Sequence, residues 1–422
     1  MTTITLLTSG TLGDVRPFVA LGRGLQRAGY HVRLATHVPF GDLVRRHGLA
    51  FAPLAANPSD LLQADPAALT LEDGPLRALA ATWRFVRAAQ PVYERLLESA
   101  WRACRASDAL VVALPTTWGA QIAEALGVPC VFAPLQPLTR TRAWPSALLP
   151  VGRSLGPRLN LLTHQLVELS LRLPWRGPLR RWRREVLGLP PASCDPLALA
   201  AAGGAPITYG FSAWLVPRPG DWPAHHVATG FWLLEEEAQH PPPAALVSFL
   251  ARGEPPVYIG FGSMAARRPA ADARLVLDAV RRAGVRAVIL GGEEARRLAA
   301  GRSDVCVVES APHGWLLPRV AAAIHHGGAG TTAASLLAGA PTAVVPFAAD
   351  QLFWGRCVAR AGAGPPPVSR RALTAERLAE LIRAVGGGEY RRRARALAQL
   401  LRREDGVARA AEHIAEQIGF AS

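Results

Sequence analysis

Two histidines, three glycines and two threonines fall within eight consecutive positions, His325-His326-Gly327-Gly328-Ala329-Gly330-Thr331-Thr332. An apolar run, 321–324, precedes them and a helix-like run, 333–338, follows. A strand feeding a glycine-rich turn that opens a helix gathers free backbone N–H groups at the positive end of the helix dipole. The glycines let that backbone approach a ligand, and His326 and Thr331 add side-chain donors. A phosphate or diphosphate fits such a turn.

Three further turns carry reactive residue types. Thr8-Ser9-Gly10-Thr11-Leu12-Gly13-Asp14 closes an apolar run, and Pro17 suits the first turn of a following helix. Asp14 then has two readings, a helix-capping acid or a general base at the floor of a cleft. Gly260-Phe261-Gly262-Ser263 ends another apolar run, where Ser263 is a plain turn residue or a phosphate contact. Asp350-Gln351 follows the run 342–347. A carboxylate and an amide in tandem suit the vicinal hydroxyls of a sugar, or simply cap a helix.

The elements that must hold these turns read as two α/β units. Short apolar segments at 4–10, 31–38, 109–115 and 129–135 alternate with helical patterns, and a second series runs through 257–263, 286–292, 305–310, 321–326 and 342–347. Continuous apolar strands separated by helices predict parallel sheets covered on both faces. At 422 residues the chain suits two domains. The expected boundaries are a first Rossmann-like domain over 1–225, a turn-rich linker over 226–245, a second such domain over 246–400, and a C-terminal helix over 401–422 packing back on the first domain. Segment 137–190 breaks the rhythm with Trp144, Trp175 and Trp182 among arginines. It reads as a helix pair with a solvated basic face, or as an apolar lid of the acceptor site that also touches a membrane surface.

The net charge of +15 comes from 47 basic residues, all arginine, in a chain also rich in alanine, glycine and proline. That bias is what a GC-rich genome produces, so no nucleic-acid partner is expected. No apolar stretch reaches the roughly 18–20 residues of a membrane span. The N-terminus lacks a basic leader and the five cysteines form no CxxC pair, which predicts a cytoplasmic protein, with peripheral contact at the inner membrane face as one reading of 137–190.

The string SAPHGWLLPRVAAAIHHGGAGTTAASLLAGAPTAVVPFAADQLFWG resembles the donor signature of the inverting family 1 glycosyltransferases of the GT-B fold. TSGTLGDVRPFVALGRGLQRAGYHVRLATH is similar to their N-terminal half. Within the family the sequence resembles most the bacterial and fungal sterol glucosyltransferases and the antibiotic glycosyltransferases, in LTRTRAWP and RRWRREVLGLP as well. The resemblance implies that His326, Gly328, Gly330 and Thr331 bind the donor diphosphate with help from Ser263. It implies Asp350 and Gln351 on the sugar hydroxyls, and Ala311, Pro312 and His313 near the base. Asp14 is the implied general base, with Gly10, Thr11 and Gly13 lining the cleft, and Trp118 and Trp144 are candidate acceptor contacts.

The plant branch departs from this chain at three places. It has histidine where Asp14 stands, a ribose-binding glutamate where Ala334 stands and a base-stacking tryptophan where Ser310 stands, so UDP-glucose and a dTDP-sugar both remain as donors. The expected reaction moves a sugar, glucose by default, from such a donor to a hydroxyl of a lipophilic acceptor, sterol-like or polyketide. No cofactor and no metal are expected, since no Asp-x-Asp pair occurs, and the protein is expected as a monomer or homodimer. A nucleotide-sugar epimerase and a non-catalytic donor-binding helper are the alternatives. GTLGDV does not match the dinucleotide fingerprint, which argues against an oxidoreductase.

Overall fold

A computed structural model describes residues 1–55, 75–191, 195–234, 242–261, 269–347 and 349–419. Strands β1 (Thr3–Leu7), β2 (His31–His37), β3 (Ala50–Leu54), β4 (Ala109–Val112), β5 (Cys130–Phe132), β6 (Ile207–Tyr209) and β7 (His226–Ala228) form one sheet. Its order is β3-β2-β1-β4-β5-β6-β7. Strands β8 (Val257–Gly260), β9 (Ala287–Leu290), β10 (Val305–Val308), β11 (Ala322–His325) and β12 (Thr342–Val344) form a second, in the order β10-β9-β8-β11-β12. Every pairing in both sheets is parallel. Central strands β4, β8 and β11 are buried at every residue, as strands covered by helices on both faces must be. These are the two doubly wound domains predicted above.

Helices α1 (Leu12–Arg27), α2 (Pro157–Arg172), α3 (Arg176–Glu185), α4 (Ala329–Leu337), α5 (Gln351–Arg360) and α6 (Gly406–Gly419) bear on the site. Val407, Ala410 and Ile414 of α6 share a core with Ile4, Val15 and Phe18, so the last helix belongs to the first domain's packing. The fit is close: a Cβ on Gly24 of α1 would lie 2.4 Å from Cγ1 of Val407. Trp354, Cys357 and Val358 of α5 join Leu336 of α4 in one apolar cluster with Leu7 and Phe211, which ties the two domains together.

Two expectations need correction. Residues 226–228, assigned to the linker, are strand β7, paired with β6 from Ile207↔His226 to Tyr209↔Ala228. Trp232 beyond them is 2 % exposed and meets Phe18 edge to face at 6.0 Å, so the first domain runs past the expected boundary. The solvated basic face of 137–190 is carried by α3, where Arg180, Arg181 and Arg184 are exposed. Helix α2 does the reverse: its polar residues Asn160, His164 and Glu168 are buried and its leucines face outward.

Candidate active site

In the first sheet the strand order reverses between β1 and β4, and in the second between β8 and β11. Doubly wound sheets bind ligands at such switch points, beyond the carboxyl ends of the strands. The Gly10–Asp14 turn follows β1, and the His326–Thr331 turn follows β11.

Gly10 has φ +134°, and a Cβ there would lie 2.4 Å from Oδ2 of Asp14. Only glycine lets the turn fold over that carboxylate. Thr11 caps α1, and Asp14 is the third helical residue. The Thr11 backbone N–H donates to Asp14 Oδ2 at 2.7 Å and its hydroxyl donates to the same atom at 2.9 Å. The capping role is therefore real, and it leaves Oδ1 outside both bonds. Burial raises the Asp14 pKa above its ordinary value, and the two Thr11 bonds only partly offset it. Such a carboxyl is a stronger base than a solvated one. Thr11, Leu12 and Gly13 are exposed at the turn's outer side.

In the second domain His325 ends β11 fully buried, and its Nδ1 accepts from the Gly327 N–H at 3.0 Å. Gly327 has φ +90°, and a Cβ there would lie 2.5 Å from Val344 Cγ1 and 2.9 Å from the Gln351 carbonyl oxygen. A Cβ on Gly328, the N-cap of α4, would lie 2.6 Å from His326 Nε2. These glycines press the His326 ring and the first turn of α4 together. Burial lowers the His326 pKa, so the neutral ring is favoured. No acidic residue occupies the first turn of α4 to compete with an anion. Thr331 is half-buried and Gly330 exposed at that helix end.

Asp350 and Gln351 begin α5 after Ala349, whose φ of +53° is unusual for a residue with a side chain. Asp350 makes no cap bond. Its Oδ2 accepts from Trp354 Nε1 at 2.6 Å, one helical turn on. Gln351 Oε1 accepts from the Phe347 N–H at 2.7 Å. Burial pushes the Asp350 pKa up to about 6; the Trp354 bond works against that shift and the nearby charge of Asp14 adds to it. Helix α1, which carries Asp14, touches α4, which the glycine turn opens.

His313 opens a short helix (His313–Leu316) with Pro312 as its N-cap and Ala311 before it. Its Nε2 lies 3.2 Å from the Tyr258 hydroxyl on β8, which brings this segment to the same switch point. Ser263 and Gly262 lie outside the described residues. Trp144 borders a cavity of about 570 Å³ between residues 143–154 and α5, and meets Phe353 at 6.4 Å. Trp118 is 5 % exposed, packs edge to face with Tyr93 and Trp182, and gives its N–H to the Pro115 carbonyl at 3.1 Å. Trp118 is thus packed as a core residue. Sequence reasoning missed Gly327 and Trp354. The first stood inside the glycine motif and the second one turn after Asp350, and only the φ angle and the indole bond single them out. Among the described residues no cluster of three or more His, Cys, Asp or Glu has metal-binding geometry.

Residues 4–145 match the glycosyltransferase family 28 N-terminal domain, and residues 274–412 match the erythromycin biosynthesis protein CIII-like C-terminal domain. A sterol 3-beta-glucosyltransferase of Emericella nidulans is 36 % identical over 436 aligned residues, covering 99 % of this chain and 30 % of its own length. One from Cryptococcus neoformans is 35 % identical over 99 % of this chain and 27 % of its own. The chain therefore spans between a quarter and a third of the length of these curated relatives. Among solved structures, the glycosyltransferase SnogD from Streptomyces nogalater has a TM-score of 0.65 at 22 % identity, covering 98 % of this chain and 99 % of its own. The glycosyltransferase VinC in complex with dTDP has 0.64 at 19 %, covering 100 % and 99 %.

Proposed function

The chain belongs to the family 1 glycosyltransferases of the GT-B fold, and from that premise we propose that it moves a hexose, glucose by default, from UDP-glucose or a dTDP-sugar to a hydroxyl of a lipophilic acceptor with inversion. The observation that carries the reading is that the Asp14 turn and the glycine turn of α4 each follow the switch-point strand of their sheet, with α1 in contact with α4. In this mechanism Asp14 takes the proton of the acceptor hydroxyl as that oxygen attacks the anomeric carbon. The bond to the diphosphate breaks on the opposite face. The N–H groups at the start of α4, with His326 and Thr331, receive the charge that develops on the leaving group. Asp350 and Gln351 hold the sugar hydroxyls, and the segment around His313 meets the base.

The names of the fungal relatives support a sterol-like acceptor, and the match to an erythromycin biosynthesis protein domain supports a polyketide as the second candidate. No helix among the described residues is long and apolar enough to cross a membrane. The test is incubation with UDP-glucose and dTDP-glucose against a panel of sterols and macrolides, with mass spectrometry of the products and NMR of the new linkage. An α-linked product would overturn inversion. Conversion of the donor sugar without any acceptor would favour an epimerase. Helix-end and histidine stabilisation of the diphosphate predicts full activity in chelator, and a strict magnesium requirement would contradict it.

A further inference from the structure

Six leucines, Leu155, Leu159, Leu162, Leu166, Leu169 and Leu173, recur at alternating intervals of four and three along and beside α2. Each is between 37 and 53 % exposed. A surface helix ordinarily turns such a stripe to the core. Here the opposite face is buried, and it is held by specific bonds. Asn160 Nδ2 donates to the Arg142 carbonyl at 2.9 Å, and Thr163 Oγ1 accepts from the Ser146 N–H at 2.8 Å. His164 Nε2 meets the Trp144 carbonyl at 3.1 Å, and Glu168 Oε1 accepts from Arg140 Nε at 2.9 Å. The helix cannot roll over to hide its leucines without breaking these contacts. The outward stripe is built in.

The charges beside the stripe are of one sign. Arg153 and Arg158 near its start and Arg176 just past its end are exposed, and Arg172 is half-buried. The only carboxylate on α2, Glu168, is 4 % exposed and paired with Arg140. If a second copy covered the stripe, each helix would bring Arg158 and Arg172 to the seam with no acidic partner to meet them. An anionic lipid surface answers both features, since acyl chains take the leucines and headgroup charges take the arginines. We infer that α2 is a membrane-docking helix that lies flat on anionic bilayers through its leucine stripe. Trp144 and Ser146, which help to hold its polar face, also wall the 570 Å³ cavity against α5. Docking therefore sets that cavity beside the lipid, which gives the proposed lipophilic acceptor a short route inward; only this last point rests on the function proposed above.

The test is flotation of the full chain with phosphatidylcholine vesicles, with and without phosphatidylglycerol. The wild type should float with the anionic vesicles, and less so as salt rises. Replacing Leu159, Leu162 and Leu166 together with glutamine should lower partitioning on the order of a hundredfold, with the melting temperature unchanged because the three side chains face solvent. Arg158→Gln with Arg172→Gln should weaken binding to anionic vesicles and make it less sensitive to salt. Equal flotation of the triple variant and the wild type would overturn the proposal. So would a wild type that ignores vesicles but forms a dimer that the triple variant dissolves, since a second copy would then cover the stripe. Neither result touches sugar transfer, which is measured separately.

Discussion

Oδ2 of Asp14 is committed to the Thr11 N–H and hydroxyl, so Oδ1 is the atom available to receive a proton. Asn at this position keeps a carbonyl for the cap but cannot act as a base. Asp14→Asn should therefore lower turnover by about 10² to 10⁴-fold while donor affinity, read by calorimetry, stays near that of the wild type. Normal turnover would move the base elsewhere. Asp350 makes a second prediction. With its pKa pushed up to about 6, the carboxyl is neutral below that pH and ionises as pH rises through it. If ionised Asp350 accepts from sugar hydroxyls, donor affinity rises across that interval, and Asp350→Asn flattens the profile. The sign for stability is opposite. A carboxyl whose pKa is raised by folding favours the native state at low pH and loses that contribution above about 6. Asp350→Asn should accordingly melt higher than the wild type on the alkaline side and match it on the acid side. Asp14→Asn should move the wild-type step to lower pH, because it removes a neighbouring negative charge.

At the level of the element, the glycine turn after β11 is set by shape more than by charge. Gly327→Ala puts a methyl group against Val344 and the Gln351 carbonyl in a left-handed backbone, at a conformational cost of about 1–2 kcal/mol before any clash. Thermal melting should register the loss, and donor affinity should fall with it; an unperturbed variant would show that the turn tolerates side chains. This turn was legible from the sequence because glycines, an apolar strand and a helix follow one another without interruption. The direction of α2 was not. Its stripe of leucines shows in the spacing, but the partners of the inward polar face, the carbonyls of Arg142 and Trp144 and the side chain of Arg140, come from another segment. Strand β3 was missed for a different reason. Pro53 interrupts its pattern, and proline is tolerated because β3 lies at the sheet edge. Strands β6 and β7, ITY and HVA, lie in no continuous apolar run, unlike the equally short β5 and β12, whose flanks extend the apolar signal.

Across the whole molecule, the two-domain architecture and both switch-point turns followed from apolar runs and glycines. The junction between the domains did not, since nothing local marks 226–228 as a strand. The same junction holds a close backbone approach. Gly230, with φ +119°, passes Gly406 so closely that a Cβ on Gly406 would lie 2.6 Å from the Gly230 carbonyl carbon. Gly406→Ala should wedge the two crossings apart, and small-angle scattering should report a changed radius of gyration if they set the domain arrangement. The chain leaves the first domain soon after Gly230 and re-enters it at Gly406, so the second domain hangs from two tethers that touch. Contact at a single point leaves the orientation of the second domain to α5, where Trp354 meets Phe211 edge to face at 5.9 Å and Arg356 donates to the Val151 carbonyl at 2.7 Å.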